Sequence, residues 1–152
     1  TRVEILADPS KQWKNVSISI NNTDFNKTIE SAPTELVTIS NIGENSNIGS
    51  NSEIFNYDYL KIGDDVDIGT QFYINTNNHK FDDPTKKIAY QGAISKEIII
   101  GSDIWIGARV TVLSGVTINN RIVIGAGSVV TSDLESGYLY AGIPAKKIRK
   151  LN

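Results

Sequence analysis

Apolar residues recur at every sixth position along most of this chain, and no other feature constrains its fold as strongly. The series runs Leu36, Ile42, Ile48 and Ile54, slips by two residues, and resumes at Ile62, Ile68 and Ile74. After an interruption it returns in unbroken register as Ile100, Ile106, Val112, Ile118, Ile124 and Val130. Glycine follows the repeating residue at Gly43, Gly49, Gly63, Gly69, Gly101, Gly107 and Gly125. A second set stands four residues after each repeat position: Val66, Phe72, Ile104, Val110, Val116, Ile122 and Leu134, with Ser46, Ser52 and Ser128 in the same place elsewhere.

A period of six is a multiple of two, so it suits strands, in which alternate residues share a face. It does not suit a helix. A six-residue unit is too short to bury anything alone, so the units must wind into coils and the coils must stack. Three units close a coil with three flat faces. Stacking then sets Ile100 against Ile118, Ile106 against Ile124 and Val112 against Val130, about 4.8 Å apart as in any sheet. Glycine beside the inward residue is expected to ease the corner. Asn45, Asn51, Asp64, Asp65, Asn119 and Asn120 are expected to supply left-handed corner conformations. An ordinary β-sandwich of short strands is the competing fold, but its strands vary in length and do not hold six successive positions in register.

Other regions break the pattern. Residues 1–35 are polar, with one strand-like alternation at Val16, Ile18 and Ile20. Their Asn-x-Ser/Thr matches at Asn15, Asn21 and Asn26 are what an Asn-rich segment yields by chance. The chain opens Thr1-Arg2-Val3 and holds no Met, which reads as a trimmed or processed form, and no segment resembles a leader. Residues 1–35 are therefore set apart from a repeat domain at 36–151. Within that domain, residues 75–97 read as a long loop thrown out from the coil, ordered against a neighbour. The loop holds Phe81, Tyr90 and His79, the single His of the sequence.

With no Cys, the chain has no disulfide, thiolate metal site or cysteine nucleophile. Fifteen basic against seventeen acidic residues give a formal net charge of −2, which argues against a nucleic-acid partner. No long apolar run is present to span a membrane.

The stretch Ile100-Gly-Ser-Asp-Ile-Trp-Ile-Gly-Ala-Arg-Val-Thr-Val-Leu-Ser-Gly-Val-Thr-Ile118, continued by Ile124-Gly-Ala-Gly-Ser-Val-Val-Thr131 and Ala141-Gly-Ile-Pro-Ala-Lys-Lys-Ile-Arg149, resembles the hexapeptide-repeat acyltransferases. The similarity covers about residues 42–151 and is densest over 98–149. It points to the sugar O-acetyltransferase branch, with the maltose and galactoside acetyltransferases and the nodulation and capsule-modifying enzymes. The resemblance implies an all-β fold, a left-handed parallel β-helix with one protruding loop and a short C-terminal tail. The left hand comes from the resemblance alone, because general chirality rules favour right-handed crossovers.

The resemblance further implies an acetyl-CoA-dependent O-acetyltransferase of polysaccharide biosynthesis, cytoplasmic and bacterial. It works as a homotrimer with sites between subunits and takes a sugar or glycan precursor as acceptor. Imidazole is the side chain that suits a general base near neutral pH, and the family's catalytic His falls on His79. A solvated loop His is the plain alternative.

Trp105 falls near the cofactor's pantetheine arm or packs outward on a neighbouring subunit. Gly107 and Ala108 match the cofactor track and supply the candidate oxyanion amide. Ala126, Thr131 and Ser132 match positions lining the same track, though some relatives carry Lys where Ser132 stands. Lys146 and Arg149 are phosphate partners or a solvated charged end. Asn56 and Asp58 lie where the family holds sugar hydroxyls, but both also suit plain corners. Tyr90 and Phe81 offer a stacking wall for a sugar ring. No metal is implied, since a γ-class carbonic anhydrase needs several His ligands. Other acceptors (an antibiotic, serine, an amino-sugar nitrogen) and a non-catalytic β-helix scaffold are the alternatives. An ice-binding β-helix needs regular outward Thr rows that this chain lacks.

Overall fold

The computed structural model describes residues 42–152. The strand-like alternation at Val16–Ile20, the Asn-x-Ser/Thr matches and the division at residue 35 lie outside the described residues. From Ile42 onward the chain lays down one short strand per face and turns a corner after each. The first coil holds β1 (Asn47–Ile48) and β2 (Glu53–Phe55), and the second β3 (Leu60–Ile62), β4 (Val66–Ile68) and β5 (Tyr73–Asn75). An excursion follows with β6 (Asn77–His79) and β7 (Ala93–Ser95). The third coil is β8 (Ile98–Ile100), β9 (Ile104–Ile106) and β10 (Thr111–Val112); the fourth is β11 (Thr117–Ile118), β12 (Ile122–Ile124) and β13 (Val129–Val130). Finally β14 (Tyr138–Ala141) continues one face, and β15 (Lys146–Lys150) folds back on it antiparallel.

The strands gather into three parallel faces. The first face is β3-β8-β11, the second β1-β4-β9-β12-β14 with β15 at its edge, and the third β2-β5-β10-β13. Register follows the hexads: Ile62, Ile100 and Ile118 align on the first face, Ile68, Ile106 and Ile124 on the second, and Ile74, Val112 and Val130 on the third. The three stacked pairs expected from the spacing are all present. From Ile48 to Val130 every repeat residue is at most 4% exposed, so these side chains form the core. The second apolar set is buried with them.

Where serine replaces an apolar residue in that second set, its hydroxyl joins coils. Ser46 Oγ donates to the Gly63 carbonyl at 2.8 Å and accepts from Val66 N–H at 3.0 Å. Buried Ser128 donates to the Gly125 carbonyl at 2.6 Å and accepts from Gly142 N–H at 3.1 Å.

Glycine after the repeat residue has a different cause from the one expected. None of these glycines has a positive φ. A Cβ on Gly69 would stand 2.6 Å from Ala108 N, and one on Gly107 2.5 Å from Ala126 N. Close stacking on the next coil, not backbone freedom, requires glycine there.

The left-handed positions also differ from expectation. Apart from glycines they fall three residues after a repeat residue, at Asn45, Asn51, Asp65, Gln71, Asp103, Arg109 and Arg121. Asp64, Asn119 and Asn120 are not left-handed; their side chains tie coils together instead. Asp64 Oδ1 accepts from Glu44 N–H at 2.8 Å, Asn120 Oδ1 accepts from Ser102 N–H at 2.8 Å, and Asn119 Nδ2 donates to the Leu134 carbonyl at 2.8 Å.

The charged run at Lys146–Lys150 is a strand and not a loose tail. All five of its residues are exposed, so no polar–apolar alternation betrays it in the sequence.

Candidate active site

The excursion leaves at the corner between the third and first faces, and Thr76 anchors it there. Thr76 N–H donates to the Phe55 carbonyl at 3.0 Å, and its own carbonyl accepts from Lys96 N–H at 2.8 Å where the chain returns. Beyond this root the expected loop is a two-stranded antiparallel ribbon, with Asn77 opposite Ser95, Asn78 opposite Ile94 and His79 opposite Ala93. His79 ends β6 and is exposed; its N–H donates to Asn78 Oδ1 at 2.9 Å. The next rung is Lys80 N–H to the Gly92 carbonyl at 3.0 Å. A short 3₁₀ turn, Ile88–Tyr90, shapes the tip. Tyr90 is 78% exposed and Phe81 59%, so among the described residues nothing covers the apolar rings that the ribbon presents.

Asn56 and Asp58 sit in the longer corner below. Asn56 is 3% exposed, and its Oδ1 accepts from Thr76 Oγ1 at 3.3 Å, so its side chain serves the root of the ribbon. Asp58 is exposed and caps Tyr59 N–H at 2.8 Å.

Trp105 lies elsewhere, pointing outward from the second face between Asp67 and Val123. It lines a cleft of about 520 Å³ together with Arg149, Arg121, Val123 and Leu151. Arg121 is fixed there by Asp103 at 3.3 Å and by the Asn152 carbonyl at 2.7 Å. The structure thus brings Trp105 and Arg149 together. Lys146 is exposed opposite Ala141 in the same hairpin.

Gly107, Ala108 and Ala126 stack on the corner between the second and third faces. Gly107 N–H donates to the Ile124 carbonyl at 2.8 Å, and the Ala108 carbonyl accepts from Gly127 N–H at 2.8 Å. Thr131 and Ser132 are exposed one corner further on, between the third and first faces, on the side from which the ribbon departs. In a three-sided prism that corner is opposite the second face, so His79 and the Trp105 cleft lie on opposite sides of one chain.

Among the described residues two titrating groups are displaced. Bonds from the Thr85 hydroxyl, the Lys86 ammonium and Thr85 N–H hold the Asp83 carboxyl below its ordinary range. The Glu135 carboxylate, 2.7 Å from Lys147 Nζ, raises Lys147, which also lies 4.3 Å from the centre of the Tyr138 ring. Among the described residues no group of three or more His, Asp or Glu is arranged to hold a metal ion. Sequence reasoning missed Thr76 and gave Gln91 no role, because neither belongs to the repeat and their hydrogen bonds leave no periodic signal.

Three stacked faces built of hexads, with glycine at each tight contact, define a parallel β-helix of hexapeptide repeats. The family model for the hexapeptide repeat of succinyl-transferase matches residues 41–74 and 97–132. The galactoside O-acetyltransferase of Escherichia coli is 33% identical over 118 residues, covering 62% of this chain and 58% of that protein. A hexapeptide-repeat acetyltransferase of Vibrio cholerae, solved with acetyl coenzyme A, is 35% identical with a TM-score of 0.67, covering 72% of this chain and 59% of that one. A maltose O-acetyltransferase of Clostridium difficile is 32% identical with a TM-score of 0.60, covering 72% and 58%. The chain thus carries the hexapeptide repeat and the left-handed β-helix fold, and it is similar to sugar O-acetyltransferases. It spans little more than half the length of the curated relatives it matches first, 58% and 54%.

Proposed function

We propose that this chain transfers an acetyl group from acetyl-CoA to a hydroxyl of a sugar or glycan precursor, with His79 as general base in a ternary complex. What supports the reading most is one coincidence: the chain's single imidazole is exposed at the end of a ribbon projecting from an acyltransferase β-helix. The imidazole takes the proton of the acceptor hydroxyl as its oxygen attacks the thioester carbonyl. The tetrahedral oxyanion needs a donor. Gly107 N–H is committed to the coil ladder, so Ala108 is the amide of that pair to consider. Collapse of the intermediate breaks the C–S bond, and the imidazolium returns its proton to the departing thiolate. A covalent acyl-cysteine route has no residue to use, because the sequence holds no Cys.

Coenzyme A has a long arm and an anionic end. Trp105 suits the arm, and Arg149 suits phosphate through its forked donors, with Lys146 beside it. Ala126, Thr131 and Ser132 extend the track along the coil. Asp58, Tyr90 and Phe81, on the His79 side, are the candidates for the acceptor. His79 and the Trp105 cleft cannot meet within one chain, so the working site takes the ribbon of one copy and the cleft of the next, as a closed trimer would arrange them.

The test is coenzyme A release from acetyl-CoA across a panel of sugars, oligosaccharides, serine and aminoglycosides. Sugar-dependent release that His79→Ala abolishes is the expected result. Release with serine or an aminoglycoside alone would move the acceptor class, and no release with any acceptor, from protein that also fails to bind acetyl-CoA, would refute the reading.

A further inference from the structure

Between Asn77 and Glu97 no residue is buried. A two-stranded ribbon without a packed face is marginal on its own, and among the described residues hydrogen bonds are what hold its shape. At the root these are the bonds of Thr76. At the tip one side chain supplies three of them. Gln91 Oε1 accepts from Asp83 N–H at 2.9 Å, while Gln91 Nε2 donates to the Asp83 carbonyl at 3.0 Å and to the Lys86 carbonyl at 3.0 Å. One N–H and two carbonyls around the amide fix which end is oxygen and which is nitrogen.

The double bond with Asp83 is the exchange that facing residues of an antiparallel pair make. The Gln91 side chain therefore adds a rung where the backbone has none. Asp83 in turn organises the bend beyond it, its carboxylate accepting from Thr85 N–H at 3.0 Å and from Thr85 Oγ1 at 2.6 Å, with Lys86 Nζ at 2.9 Å. On its other side Gln91 adjoins Gly92, whose carbonyl accepts from Lys80 N–H, next to His79. Gly92, between the clamp and the His79 rung, has φ of +78°, a left-handed conformation that glycine adopts readily.

We infer that Gln91 is a positioning residue for His79: its amide closes the tip of the ribbon and so sets the register in which the imidazole is held. The inference rests on the reading of His79 as the base, and it adds a residue that touches neither acceptor nor donor. Gln91 makes no bond to the coil, so its effect should be separable from stability.

The experiment compares wild type, Gln91→Ala, Gln91→Glu and His79→Ala in steady-state coenzyme A release with whichever acceptor of the panel gives the fastest wild-type release. Thermal melting and amide exchange over residues 77–95 are measured on the same proteins. Gln91→Glu keeps the acceptor for Asp83 N–H but turns a charged oxygen toward two carbonyls, so it should behave like Gln91→Ala. A misplacement of about 1 Å costs on the order of 100-fold, so kcat should fall by about 10-fold to 100-fold in both variants. KM for acetyl-CoA and the melting temperature should hold, and exchange should rise at Lys80 and Asp83. If exchange rises while kcat stays within about twofold of wild type, or if exchange does not change, Gln91 does not position His79. If His79→Ala is as active as wild type, the functional reading itself has failed, and the inference goes with it whatever Gln91 does.

Discussion

From Ile98 to Val130 every strand sets an aliphatic side chain into the coil, whereas the excursion from Asn77 to Glu97 buries none. The two regions are ordered by different means. In the coil, geometry follows from burial, and each inward Ile contributes about 1.5–3 kcal/mol. In the excursion, fixing each residue costs about 1–2 kcal/mol of backbone entropy, while a hydrogen bond returns a net of about 0.5–1.5 kcal/mol. Its bonds alone do not comfortably offset that cost. The exposed Phe81, Ile88, Tyr90 and Ile94 then matter, because an apolar surface laid over them would supply what the single chain lacks. On the proposed assembly that surface is a neighbouring copy. On the proposed reading the coil carries the stability and the ribbon the chemistry, so substitutions in the two should separate cleanly.

The widest separation is expected at His79. Removing a general base costs typically about 10²–10⁴ in rate, so His79→Ala should lose at least this much kcat, with melting and acetyl-CoA binding unchanged; stopped-flow or thiol-trapping assays together with calorimetry check both halves. Ile106→Ala should do the reverse. It opens a cavity at a fully buried position and should cost about 2–5 kcal/mol in urea unfolding. Gly107→Ala should follow at about 1–3 kcal/mol, the usual cost of overpacking, because the added Cβ meets the Ala126 backbone.

The pH response of the tip is smaller and local. The Asp83 carboxyl titrates lower in the folded chain than the ordinary 3.8. Its support for the bend is therefore complete above the unfolded value and fades as pH falls through the lowered one. Amide exchange at Thr85 and Lys86 should lose protection below about that ordinary value, with the coil unmoved. Ile88→Ala should be the mildest: Ile88 is 61% exposed, so unfolding free energy should change by no more than about 0.5 kcal/mol. Its loss should show instead in the assembly state seen by light scattering.

How much could be read in advance divides along the same line. Ile100, Ile106 and Val112 announced their stacking partners because burial repeats every six residues. Gly69 and Gly107 were found at the right places for the wrong reason, since sequence cannot distinguish a glycine needed for φ from one needed for close approach. Arg109 and Arg121 are left-handed although nothing in their chemistry favours it; the tight corner they occupy imposes the conformation. The ribbon could not be read as one, because Asn77–His79 and Ala93–Ser95 have no buried face and hence no alternation. At the site, it was the resemblance that named His79, Trp105 and Arg149 as candidates. Only the prism showed that His79 stands across the coil from the other two, and that Asn56 is turned inward to Thr76.

That separation yields the most direct test, a complementation measurement. His79→Ala and Arg149→Ala would be prepared singly and as mixed assemblies whose composition is verified by native mass spectrometry. If the site takes its imidazole from one copy and its cleft from the next, mixed assemblies should release coenzyme A well above either variant alone. Mixed assemblies no more active than the less impaired parent would contradict a site shared between copies.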